Sequence, residues 1–152
     1  YSLQECIQWE YDLFVVQSLK GGIVEKAAIV KLSKKLPLFS FEEAEGFLDE
    51  ELRIDIVVKM NGKEIGGIQV KPSTFKLMRR EVITFNKNAN QKWANPVFYL
   101  YYDANEEFVN LAEVVEAISS MIIVFNDEVL IYFIKMNGSN SIYYKFQVNN
   151  LK

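Results

Sequence analysis

The stretch EELRIDIVVKMNGKEIGGIQVKPSTF, Glu50 to Phe75, decides how the rest of the chain is read. Leu52 to Lys59 and Glu64 to Lys71 are rich in apolar and β-branched residues, and Asn61-Gly62 between them is a strong hairpin-turn signal. Side chains alternate along a strand, so Gln69 and Lys71 leave from one face beside Gly67, and Ile68 and Val70 from the other. Asp55 lies on the first strand, and its face depends on the turn. A two-residue loop that pairs Met60 with Lys63 puts Asp55 opposite Ile68, on the wrong side. A three-residue loop with Gly62 left-handed, or a bulge at Gly66-Gly67, restores the parity. One of these irregularities is expected if the acid, the amide and the lysine work together.

These three groups suit one chemistry. Magnesium takes oxygen ligands and is commonly held by one or two carboxylates together with substrate phosphate. Asp55 offers a carboxylate, Gln69 an amide oxygen and Val70 a backbone carbonyl, while Lys71 can orient an attacking water or stabilise charge on a phosphate. The set describes metal-assisted phosphodiester hydrolysis. The plain structural reading is a cross-strand ion pair between Asp55 and Lys71, which contributes little when exposed.

Composition narrows the field. The 152 residues contain no histidine, which removes serine–histidine and cysteine–histidine nucleophiles and imidazole zinc sites. Half the residues are hydrophobic, so a real core is expected, and one domain spanning 1–152 is assigned. The chain opens on Tyr1 rather than methionine, as a fragment of a longer chain would. The lone Cys6 reads as a packing residue in a reducing compartment. With neither a signal-peptide pattern nor an uninterrupted membrane-length apolar run, a cytoplasmic protein without membrane attachment is expected. The net charge of −3 hides a segregation, because Lys71, Lys76, Arg79, Arg80, Lys87 and Lys92 are interrupted by a single acid, Glu81.

Around the hairpin, residues 3–19 have helical spacing and Gly21-Gly22 reads as a stop, with a second helix over Val24–Leu36. Glu25 in its first turn either complements the helix dipole or points into a site. Ser40 to Glu43 has capping-box form, so Phe41–Asp49 is a short helical turn or a loop. Leu77 to Asn88 predicts a helix, VFYLYYD after Pro96 a central strand, and Glu107–Met121 a helix. Tyr99, Tyr101 and Tyr102 read as core. Ile122–Phe125, Val129–Lys135 and Ile142–Val148 follow as strands. The order predicts an α/β fold, a central mixed β-sheet flanked by helices.

Ile54-Asp55 followed fourteen positions later by Gln69-Val70-Lys71 resembles the PD-(D/E)XK nuclease superfamily, in a QxK variant. Ile54 stands where that pattern has proline, and Gln69 where it has an acid. GGIQVKPSTF with NPVFYLYYD is most similar to MjaI-type type II restriction endonucleases, over Gly21 to Asp103. The resemblance implies a restriction-endonuclease-like core and a magnesium-dependent endonuclease, with manganese as substitute. It implies catalytic Asp55, Gln69 and Lys71, and a metal held by Asp55, Gln69, Val70 and a helix glutamate. Glu25 is first choice for that glutamate, Glu10 second, and the cluster Glu42, Glu43, Glu45, Glu50 and Glu51 third. It further implies double-stranded DNA as substrate, a homodimer on a palindromic site, and Lys76, Arg79, Arg80, Asn88, Asn90 and Lys92 facing DNA. The alternatives are a repair or Holliday-junction nuclease of this fold, and an inactive nuclease-like binding or structural subunit.

Overall fold

A computed structural model describes the backbone over residues 1–125, 128–137 and 140–147, and side chains over 1–121 apart from 14, 17 and 18. The chain opens with α1 (Leu3–Tyr11), capped by a reciprocal Ser2–Glu5 capping box, and runs through a π-helical turn (Asp12–Val16) straight into α2 (Gln17–Lys35). The expected stop at Gly21-Gly22 is therefore absent. Glycine weakens a helix by about 1 kcal/mol per residue relative to alanine, and the apolar face of α2 outweighs that, since Val24, Ala28 and Leu32 are almost wholly buried. None of the residues of α1 is buried, and Cys6 is exposed rather than packed.

The sheet carries four strands in the order β1 (Ser40–Glu43), β2 (Ile56–Met60), β3 (Lys63–Pro72) and β4 (Val97–Tyr102). The first two junctions are antiparallel and the third is parallel, which makes the sheet mixed. The capping-box reading of Ser40 fails because Phe41 is needed in the core and pairs with Val58, so the segment is drawn out as an edge strand. A short α3 (Phe47–Glu50) then leads to Arg53, whose φ of 57° turns the chain sharply into β2. The interior strands are β2 and β3; β4 stands at the edge of this sheet, contrary to expectation.

Ile56, Val58, Ile68, Val70 and Leu100 share one face and join Val24, Ala28 and Leu32 of α2, and Val114 and Ile118 of α5 (Leu111–Ser119), in one hydrophobic core. α4 (Arg80–Gln91), preceded by a 3-10 turn over Ser73–Leu77, meets the other face through Asn86 on Gln69 and Asn90 on Tyr99. Its approach is close. A Cβ on Gly67 would lie 2.8 Å from Ile54 and 2.8 Å from Trp93, which follows α4. The outer edge of β4 is closed by Asn110, whose amide donates to the Tyr99 carbonyl at 2.9 Å and accepts from the Tyr101 N–H at 2.8 Å, in place of a strand neighbour. That duty explains why α5 begins at Leu111 and not at Glu107. The three expected tail strands are β5 (Ile122–Phe125), β6 (Glu128–Asn137) and β7 (Asn140–Gln147), which pair in an antiparallel sheet of their own; the end of the last expected strand, at 148, lies outside the described residues. No described helix is long and apolar enough to cross a membrane.

Candidate active site

The turn of the hairpin is a two-residue loop after all: Met60 pairs with Lys63, and Asn61 and Gly62 have φ of 50° and 76°. That geometry matches strand twist and suits asparagine followed by glycine. The irregularity lies further along, where Ile65 is inserted between the Lys59–Glu64 and Val58–Gly66 pairs. It is neither of the two positions anticipated, although it sits next to one of them. Beyond this bulge Ile56 pairs with Ile68, and the same register continued one step sets Asp55 beside Gln69. Parity is restored, and the acid shares a face with Gln69 and Lys71.

Contacts confirm the placement. Asp55 Oδ2 accepts from the Val70 N–H at 2.6 Å and from Lys71 Nζ at 3.4 Å. The Asp55 N–H donates to the Ile68 carbonyl at 3.0 Å. Carbonyls point to the same strand edge at every second residue, so the Val70 carbonyl points to the β2 edge too, past the end of the pairing and beside Asp55. Gln69 is fully buried. Its Nε2 donates to Asn86 Oδ1 at 3.0 Å, while its Oε1 has no hydrogen-bond partner among the described residues.

Electrostatics bring in the helix acid. Burial pushes the Glu25 carboxyl up to about 7, with the Asp55 charge adding to the rise and the Lys71 charge opposing it. Asp55 is also held above its ordinary value by burial, against the lowering effect of Lys71 and the Val70 N–H. Two carboxyls that resist ionisation, one of them within electrostatic reach of the other's charge, are what a divalent cation relieves. Asp49, and Glu43 of the acidic cluster, raise Glu25 further. Glu42 is engaged by Lys59 at 2.6 Å, and Glu10 is exposed on α1. Among the described residues no three of His, Cys, Asp and Glu gather as a metal cluster. The oxygen donors that these elements carry are two carboxylates, an unpartnered amide oxygen and a backbone carbonyl, hard donors of the kind that magnesium takes.

The remaining face is aromatic and amide-rich. Tyr99 and Tyr101 pair with Gln69 and Lys71 across the parallel junction and stack on one another at 6.1 Å, so they belong to the site face and not to the core. Burial pushes the Tyr99 hydroxyl up to about 12. It donates to Asn90 Oδ1 at 2.5 Å. The amide of Asn90 is spent on the carbonyls of Leu52 at 2.8 Å and Arg53 at 3.3 Å. Asn90 is therefore turned inward and does not belong with the DNA-facing residues; it anchors the turn that delivers Asp55. Lys76, Arg79, Arg80, Asn88 and Lys92 are exposed, and Lys76 Nζ lies 4.3 Å over the Tyr101 ring. Reasoning from sequence passed over Asp49, Asn86 and Asn90's inward role. The Asn86–Asn90 spacing of four within a helix was the available signal, since it puts two amides on one face.

The sequence profile of the MjaI restriction endonuclease family matches residues 2–129. The chain belongs to the MjaI restriction endonuclease family. No curated protein and no solved structure matches it significantly. The family match spans α1 through the start of β6, and so contains every group just described. A mixed sheet flanked by helices is the expected α/β, restriction-endonuclease-like architecture.

Proposed function

We propose that this member of the restriction endonuclease family hydrolyses phosphodiester bonds of double-stranded DNA in a metal-dependent reaction, as a type II enzyme with the QxK form of the PD-(D/E)XK motif. The observation that carries the reading is Asp55 Oδ2, held by the Val70 N–H and 3.4 Å from Lys71 Nζ, on the face of a buried Gln69. Asp55, Glu25, the Gln69 amide oxygen and the Val70 carbonyl would hold magnesium, or manganese in its place. When bound, the ion supplies Lewis-acid stabilisation of the phosphate and activation of water.

The chain's own groups do the rest. Lys71 stands within reach of a phosphate oxygen and offers hydrogen-bond donors as negative charge develops there. Asp55 holds Lys71 in place and orders the strand end through Val70. Glu25, pushed up to about 7, carries a proton part of the time near neutrality and releases it as the site fills. Water adds its oxygen to phosphorus, one bridging P–O bond breaks, and the departing oxygen takes up a proton. Lys76, Arg79, Arg80 and Lys92 contact the phosphate backbone, while Asn88 and the arginines are suited to base edges. A homodimer on a palindromic site lets each copy cut one strand.

Plasmid DNA incubated with magnesium and the native protein, beside Asp55→Ala and Lys71→Ala, tests this. Discrete fragments from the native protein, with cleavage reduced by roughly 10² to 10³ or more in each variant, support it. Equal cleavage by all three overturns the site. Preference for branched substrates indicates a repair or junction nuclease, and DNA binding without cleavage by the native protein indicates an inactive binding module.

A further inference from the structure

An amide at a position that ordinarily carries an acid raises a problem of sense. A carboxylate presents oxygen whichever way it turns, whereas a primary amide presents an acceptor at one corner and a two-proton donor at the other. Facing a cation, only one orientation is useful. The structure contains a device that selects it. The Val82 carbonyl can only accept, and Asn86 Nδ2 donates to it at 2.9 Å within α4. This leaves Asn86 Oδ1 as the corner turned to the sheet, where it accepts from Gln69 Nε2 at 3.0 Å. The relay begins at a backbone atom that cannot reverse, so both side-chain amides are fixed in sense. The corner left over is Gln69 Oε1, wholly buried and with no partner among the described residues.

We propose that Asn86 is a positioning residue that turns the Gln69 amide oxygen-first toward a divalent cation shared with Asp55. The proposal rests on the metal-dependent reading above and deepens it. Asn86 touches neither substrate nor ion. It acts through Gln69, in the way outer hydrogen-bond partners orient metal ligands. A carboxylate at position 69 would make it superfluous. It would also be obstructive, since Asn86 Oδ1 would then face a second acceptor.

A double-mutant cycle read by calorimetric titration of Mn2+ into the DNA-free chain tests this. In the native background Asn86→Leu is expected to weaken Mn2+ binding by about tenfold or more. Combined with Gln69→Glu, the same change is expected to leave binding unchanged or to tighten it. A purely structural role for Asn86 predicts equal weakening in both backgrounds, and that result overturns the proposal, as does an undiminished affinity of Asn86→Leu alone. Asn86→Ser, too short to reach Gln69, is run in parallel with thermal melts so that a packing failure of the leucine variant does not decide the outcome. Asp55→Ala separates the two levels of inference. If it binds Mn2+ like the native chain, the metal-site reading itself fails; if it loses binding while the cycle is additive, only the role of Asn86 fails.

Discussion

At the scale of single residues the site is held under electrostatic tension. Glu25 has a folded-state value near 7 against an ordinary 4.5, and Asp55 is shifted in the same direction. A raised carboxyl binds more protons folded than unfolded, so its contribution to stability is lost as pH rises from about 4.5 through about 7. The metal-free protein is therefore expected to melt at lower temperature at pH 8 than at pH 5.5, and Glu25→Gln to narrow the gap. Millimolar magnesium should restore stability at pH 8, because a ligand bound only by the folded state stabilises by mass action. Melting curves at the two pH values, with and without the ion, read this directly. Asn90 gives a second expectation. Asn90→Ala strands the Leu52 and Arg53 carbonyls and the Tyr99 hydroxyl, at a cost of roughly 1–3 kcal/mol for buried groups left unpaired. It should also reduce cleavage, because Arg53 is the left-handed residue two positions before Asp55. Urea denaturation and a single-turnover assay measure the two effects.

Among elements, the hairpin was the most legible part of the sequence and the helices the least. Alternating apolar residues, Asn61-Gly62 and the parity requirement were enough to demand one irregularity of register, either in the turn or in β3. They did not locate it, because Ile65 looks like any other strand residue and a bulge there depends on tertiary packing. The glycine pair 21–22 misled for a similar reason: its local tendency to end a helix yielded to the burial of Val24, Ala28 and Leu32 over roughly the next three turns. Asp55, Gln69 and Lys71 were readable because strand periodicity is short and rigid. Asn86 and Asn90 were not, since a polar residue on an amphipathic helix is usually solvated, and only the close approach to the sheet of α4 and of the Trp93 that follows it turns both inward. That closeness is itself testable. Gly67→Ala brings a methyl to 2.8 Å from Ile54 and Trp93, and overpacking of this kind costs about 1–3 kcal/mol. The chemical-denaturation midpoint should fall accordingly.

For the whole molecule, net charge conceals function. The chain carries −3 overall, yet Lys76, Arg79, Arg80 and Lys92 are all exposed along the segment from the end of β3 to the C-cap of α4, with Lys76 over the Tyr101 ring of the site face. Binding to a phosphate backbone falls with salt by a slope of about 0.9 for each contact neutralised. Replacing Arg79 or Lys76 by alanine should weaken binding to unrelated duplexes and lower that slope by about one unit each. Titrations at several salt concentrations without divalent ion would show it. A substitution at an exposed site remote from this strip, such as Lys34→Ala, should leave the slope unchanged.

The bulge at Ile65 has a consequence for how this gene tolerates lesions. Whether Asp55 meets Gln69 depends on an odd-or-even count of residues around the hairpin, much as translation depends on a count of three. Losing or gaining one codon within the paired parts of β2 or β3 would leave every candidate side chain encoded and the arrangement dismantled, whereas an insertion at Asn61-Gly62 merely lengthens the loop and leaves the pairs, and so the faces, in phase. Activity among length variants of this hairpin should therefore collapse on a single insertion between Val57 and Lys59, and survive the same insertion at the turn.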